Sequence, residues 1–401
     1  KVMEKVAARQ LIDHKELHSL REKNQSAYRQ HHSTETALLK IHHDLLMSLD
    51  QRQCVLMVML DLSAAFDTVN HATLLDRLFQ RYGIRDNAHA WVSSYLKDRR
   101  QFVIIKGERS DEKVKDCDVP QGSVLGPTLY EDYTAPPLAA IFRKHGISFH
   151  IYADDTHAYI PFDLPQEEES LARLEACLEE VRVWMTANWL KLNNGKTEVI
   201  MFGSKKNLSK LKTTSVSIGD SNVGPSQSVK SIGAHLDSTL RLDKQISAVS
   251  KSAWFHLYQI GKIRKYLTED QAKTIVHSHV TCRLDQNNSL LIGLPKKSLS
   301  RLQLIQNASA RLIVGLKKRD HITPTLMQLH WLPVEQRVLF KVLLLVYKAL
   351  HDKGPLYLKE LLTPYVPSRT LRSSSDKLLN VPATHYVETS KRAFGVRAPH
   401  E

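Results

Sequence analysis

The chain has 401 residues, 42% of them hydrophobic and 24% charged, with a formal net charge of +14. That is enough apolar material for two or three buried cores. No apolar run spans a bilayer, since VLFKVLLLVY (338–347) is short and broken by Lys341. Cys54, Cys117, Cys177 and Cys282 show no paired spacing and no signal-like segment opens the chain, which predicts buried, reduced thiols in an intracellular protein.

In chain order, residues 1–50 read as helical, with Leu38, Ile41, Leu45 and Leu49 near helical spacing. The opening KVMEKV has no initiator Met and reads as part of a longer polypeptide. CVLMVMLDL (54–62) is a continuous apolar run of strand length, consistent with a strand buried on both faces. HATLLDRLFQRYGI reads as a helix closed by Gly83, NAHAWVSSYLKD as a second helix, and QFVIIKG as a strand. DVPQGSVLGP (118–127) is a loop punctuated by Gly and Pro. HIYADDTHAY (150–159) reads as a hairpin with Asp154 and Asp155 at its tip, followed by an amphipathic helix over 167–190. NNGK (193–196) is a turn and TEVIMFG a strand, and Ser215–Ile218 with Val229–Gly233 suggests one small hairpin. Beyond Leu242 the pattern is mostly helical, with Ile246, Val249, Ala253, Leu257, Ile260 and Ile263 in one stripe. The last fifty residues read as loosely ordered, and the twenty histidines as surface and loop residues without zinc-finger spacing.

Charge is uneven along the chain. Residues 241–350 carry 18 Lys/Arg against 6 Asp/Glu, whereas residues 1–240 sum to −1. A near-neutral front and a strongly basic rear suggest a chemical unit joined to one that binds a polyanion, with nucleic acid as the expected partner.

Adjacent acids at a turn have an ordinary explanation, because Asp side chains bond nearby backbone groups. Asp61 sharpens the question, since a carboxylate ending a buried strand is costly without a partner and DLSAAFD contains no cation. If the Asp61 strand and the Asp154–Asp155 hairpin are neighbours, their oxygens converge. Hard oxygen donors without Cys or His favour magnesium, and two such ions support in-line phosphoryl transfer.

DLSAAFD, PQGSVLGP, YADD, NNGKTEVIMFG and SIGAHLD, in this order, resemble successive motifs of a reverse transcriptase, the non-LTR, jockey-like retrotransposon type being the nearest in pattern. QSAYRQHHSTETAL (25–38) is similar to the fingers motif that precedes them, and the likeness continues through SLSRLQLIQNASARLI and HITPTLMQLHWLPV. The resemblance implies an α+β fold of right-hand type. Fingers and an antiparallel palm sheet with packed helices would occupy 1–240, a basic helical thumb 241–350, and a C-terminal extension 351–401. It implies RNA-directed DNA synthesis on an RNA template and DNA primer, with dNTPs as substrates and two Mg2+ ions as cofactors. Asp61, Asp154 and Asp155 would be the metal-binding, catalytic acids. Phe66 would lie under the incoming sugar, Gln121 and Gly122 along the nucleotide and template, and Lys196 and Arg29 near the triphosphate. An aromatic at Phe66 would collide with a 2′-hydroxyl and favour deoxynucleotides; a core Phe is the alternative. For Lys196 and Arg29 the alternative is a plain surface cation.

Two departures stand out. TLYEDYTAPPLAAIF places Glu131, Asp132 and Pro136-Pro137 where an apolar helix is expected, and prolines would break it. Gln286-Asn287 follows RLD where relatives carry Tyr-Cys. Together with the absence of the endonuclease domain such elements carry, these leave a second reading, a folded nucleic-acid-binding remnant without activity.

Overall fold

A computed structural model describes residues 1–63, 66–193, 195–365, 378–384 and 391–400. Its centre is the strand Cys54–Leu60, every residue of which is buried. Val55, Met57 and Met59 face one core, and Cys54, Leu56, Val58 and Leu60 face another. Period-two alternation therefore sorts a uniformly apolar run onto two layers.

Five strands lie in the order Pro225–Ser226, Glu198–Phe202, Cys54–Leu60, Asp155–Phe162, Ser148–Tyr152. Four are antiparallel, but Pro225–Ser226 pairs in parallel with Val199–Ile200, so the expected antiparallel sheet is mixed at one edge. One face packs on helices His71–Gln80, Asp86–Leu96, Gly126–Lys144 and Glu167–Ala187. The other packs on Thr34–Asp50 and on the helical region after Leu242, chiefly Asp243–Ile263, Lys296–Val314 and Val334–Leu350.

Several expectations need correction. Pro136 and Pro137 do not break their helix, which runs unbroken from Gly126 to Lys144. Pro137 leaves the Tyr133 carbonyl without its helical donor, and the Arg77 guanidinium donates to it instead. The two segments 215–218 and 229–233 do not pair with each other. Val216–Ile218 pairs with Ser221–Val223, and Ser228–Ser231 with Ala234–Asp237, so there are two hairpins. QFVIIKG is not one strand but part of two short exposed ribbons.

Two short helices of the C-terminal segment are packed, whereas residues 363–365 and 378–384 are exposed or only part-buried. Tyr357 and Leu358 on Leu356–Lys359, and Phe394 and Val396 on Phe394–Arg397, are buried in the core that covers the sheet. Most of TPYVPSRTLRSSSD lies outside the described residues, as do Ala64, Ala65 and Asn194. Three histidines are interior rather than superficial. His42, His150 and His157 are buried, and burial lowers their pKa, for His157 to about 4. All four cysteines are free, but Cys282 is exposed. Among the described residues no helix is long and apolar enough to cross a membrane.

Candidate active site

Strand register places the acids. Met59 lies opposite His157 and Leu60 opposite Thr156, so the next position on each strand brings Asp61 opposite Asp155. The hairpin closes through Ala153 and Asp154, with Tyr152 paired to Asp155. Ala153 takes the left-handed conformation (φ 59°) that this tight connection demands, strained backbone of the kind that gathers at functional sites.

Asp61 and Asp155 line one cavity of about 390 Å3 with Gly195, Lys196, Glu198, Ser231 and Ile232. Asp155 keeps solvent access, yet its carboxyl is pushed up to about 6. Loss of solvation beside neighbouring protein atoms is the main cause, repulsion from Asp154 and then Asp61 adds to it, and Lys196 opposes it. Asp154 acts on the other side of the turn. It raises the pKa of the Tyr130 and Tyr28 hydroxyls, in each case after burial, and Asp61 adds a smaller push on Tyr130. Of the adjacent acids, Asp155 lines the cavity with Asp61 and Asp154 does not.

Asp61 does have polar company, from the turn that follows the long helix. Asn193 Nδ2 donates to Asp61 Oδ2 at 2.9 Å, the Asn193 amide donates to the Asp61 carbonyl at 2.9 Å, and Lys196 Nζ stands 3.7 Å from the same Oδ2. The absence of a cation near Asp61 in sequence is therefore made good from a distant turn. Asn193 was the residue missed, and its signal was the NNGK turn itself.

The remaining candidates fall in two groups. Phe66 is half-buried, its ring stacked on Tyr130 with centroids 4.7 Å apart. Its carbonyl accepts from the Val119 amide at 2.9 Å, which ties it to the loop carrying Gln121 and Gly122. Gln121 Nε2 reaches Asp67 at 3.4 Å, and Gly122 is left-handed (φ 73°) with open space where a side chain would be. Arg29 is not brought to the carboxylates. Its guanidinium is held by Glu16 at 3.5 Å and by the Glu22 carbonyl at 3.0 Å. Its neighbour Tyr28, which went unnoticed in QSAYRQHHST, is the one coupled to Asp154.

The buried His157 also bears on the cavity. Its Nε2 lies 2.6 Å from Ser231 Oγ, fastening the hairpin Ser228–Asp237 against the strand that carries Asp155.

Residues 1–236 match the family model for reverse transcriptase (RNA-dependent DNA polymerase). The chain is 28% identical over 325 residues to the probable RNA-directed DNA polymerase from transposon BS of Drosophila melanogaster, covering 78% of this chain and 35% of that protein. It is 27% identical over 264 residues to the RNA-directed DNA polymerase from mobile element jockey of the same organism, covering 63% and 27%. The chain thus spans about a third of the length of the curated relatives it matches. Among solved structures, the apo telomerase of Candida tropicalis aligns with 78% of this chain and 55% of its own, at 11% identity and a TM-score of 0.44. With the family model covering more than half of its length, the chain belongs to the reverse transcriptase family.

Proposed function

We propose that this chain is the polymerase of a non-LTR retrotransposon, adding deoxynucleotides to a primer 3′-hydroxyl on an RNA template. The observation that carries it is the convergence of Asp61 and Asp155 across the strand register, with Asp154 at the adjoining turn.

The donor set fits magnesium. It is oxygen only, and a divalent cation would offset both the lost solvation that chiefly raises Asp155 and the smaller repulsion from Asp154 and Asp61. Among the described residues no three such groups already converge as an ion site, so side-chain rotation would have to close the set. Asp61, Asp154 and Asp155 would hold two Mg2+ ions, which when bound activate the primer hydroxyl and stabilise charge on the leaving pyrophosphate.

The protein's own groups do the rest. Asn193 fixes the Asp61 carboxylate in orientation. Lys196, largely exposed, is free to swing from Asp61 toward an incoming triphosphate. Phe66, braced from below by Tyr130, presents a ring where a 2′-hydroxyl would need volume. In this reading residues 1–240 are fingers and palm, and 241–350 are the thumb. The thumb's Lys251, Lys262 and Lys265 are exposed on or just after the helix Asp243–Ile263, suited to the phosphates of the template–primer duplex.

Primer extension on an RNA template with purified protein and Mg2+ tests the proposal. Template-dependent DNA product supports it. Duplex binding without any extension would sink it in favour of the inactive remnant.

A further inference from the structure

Between the helix Asp86–Leu96 and the loop of Gln121, residues 99–115 (RRQFVIIKGERSDEKVK) leave the body of the protein as two stacked ribbons. Arg99–Gln101 pairs with Lys113–Lys115. Beyond it, Ile104–Ile105 pairs with Glu108–Arg109 around Lys106 and Gly107, both left-handed. That two-residue turn matches the natural twist of a hairpin. The Ser110 amide donates to the Val103 carbonyl and the Val103 amide to Ser110 Oγ, each at 2.9 Å, locking the ribbons together.

The surface of this projection is unusual. Phe102, Val103, Ile104 and Ile105 are 43%, 59%, 61% and 66% exposed, and none belongs to either core. Consecutive large apolar residues held in water on an ordered element mark a contact surface. They are set among six cations and three acids. Glu112 is taken up by Arg100 and Arg109, and the Arg109 guanidinium lies 3.7 Å over the Phe102 ring. Lys106 and Lys113 have no acidic partner among the described residues. Apolar faces beside free cations complement nucleic acid whose bases are being opened, because apolar wedges unstack base steps while cations hold phosphates.

The root of the projection fixes where it would act. Lys115 Nζ bonds Asp118 at 2.6 Å, the Asp118 amide donates to the Val69 carbonyl, and the next amide donates to Phe66. The ribbons therefore stand on the backbone of the proposed nucleotide site.

Resting on the polymerase reading, we infer that the projection 99–115 is a strand-separating wedge for template that is still paired ahead of the site. Phe102, Ile104 and Ile105 stack against the first unopened base pair, and Lys106 and Lys113 hold the phosphates of the displaced strand.

The test gives the 401-residue chain two primer–templates differing only in a complementary strand annealed downstream. A triple variant, Phe102→Ser, Ile104→Ser and Ile105→Ser, is expected to extend the open template within about twofold of the parent, but the paired one at least about tenfold more slowly. The pair Lys106→Glu and Lys113→Glu, which keeps the apolar tip, is expected to move the same ratio in the same direction, so a misfolded ribbon cannot decide the outcome. A 2-aminopurine at the first paired position of a synthetic fork should brighten with the parent and not with the triple variant. This readout needs no nucleotide addition, so a parent that opens the fork without extending it counts against the polymerase reading alone. Equal loss on both templates, or none on either, overturns the wedge. Unchanged extension with lost self-association would assign the patch to a second copy of the chain.

Discussion

Two pairs of adjacent acids, Glu131–Asp132 and Asp154–Asp155, meet opposite surroundings. The first pair is buried and each acid meets a cation, although Asp132 Oδ2 is left without a hydrogen bond and burial still pushes the Asp132 carboxyl above its ordinary value. Arg21 grips Glu131 through two bonds, 3.1 and 2.6 Å, and Lys15 Nζ lies 2.7 Å from Asp132. The second pair is left to repel, with one exposed lysine at 3.7 Å from Asp61 and, among the described residues, no cation within ion-pair distance of either hairpin acid. Acids that a fold neutralises internally serve cohesion; here they fasten the helix Val2–Leu17 and the segment after it to the helix Gly126–Lys144. Under the proposed function, acids left short of counter-charge at a strand end would take their cation from outside.

The contrast is broken most strongly by removing carboxylates from the unmatched set. Asp61→Asn and Asp154→Asn should each lower nucleotide addition by more than about a hundredfold, at 1.36 kcal/mol per tenfold, while thermal melting and duplex binding stay near the parent. Near-parental extension by either variant would end the two-metal reading.

Removing the counter-charge from the matched set should strike stability instead. Lys15→Met leaves Asp132 buried alone and should cost about 3–5 kcal/mol in denaturant unfolding, much of it recovered by adding Asp132→Leu. A loss below 1 kcal/mol, judged on the same scale, would mean that water reaches the pair.

Sugar choice is the next effect in size. Phe66→Val should raise the ratio of ribo- to deoxynucleotide incorporation by about tenfold or more, as expected when a steric exclusion worth a few kcal/mol is lifted. An unmoved ratio, with both rates falling together, would show that the ring stacked on Tyr130 only packs.

The smallest effect tests the unmatched acids in the absence of metal. The folded chain raises the Asp155 carboxyl to about 6, above its ordinary value, so ionising it at neutral pH costs stability that the unfolded chain does not lose. Asp155→Asn should therefore raise the melting temperature above about pH 6, and the gain should fade as pH falls from there, vanishing below about 4, where both states are protonated. Added Mg2+ should stabilise the parent and shrink the difference. A gain independent of pH would point to packing.

Much of this was readable in the residues. The run Cys54–Leu60 read as consistent with a strand covered on both faces, and it is one; the meeting of Asp61 with Asp155 was conditional on the two strands being neighbours, which the register now supplies. What was hidden depends on contacts remote in sequence. Pro136-Pro137 reads locally as a helix breaker, because the Arg77 that serves the freed carbonyl lies on another helix. Glu131 and Asp132 read as damage because their partners, Lys15 and Arg21, sit more than a hundred residues earlier. QFVIIKG read as a single strand because β-branched composition reports local preference and says nothing about what covers it. Arg29 reads locally as an unpaired cation because the Glu16 that meets it at 3.5 Å lies on the preceding helix.

The closing of the C-terminal segment over the helix Thr34–Asp50 has a bearing on how the chain is made. Tyr357 bonds Ser26 and Thr36, and the Gly395 amide donates to His43, so a layer begun by residues 26–50 is closed by residues some three hundred positions later. Synthesis proceeds from the N-terminus at about 5–20 residues per second, so that layer waits tens of seconds for its cover. Throughout that interval Leu38, Ile41 and Leu45 lack part of their final shelter. Stalling before residue 350 should therefore leave that layer uncovered and prone to aggregate, which the solubility of chains released at that point would measure.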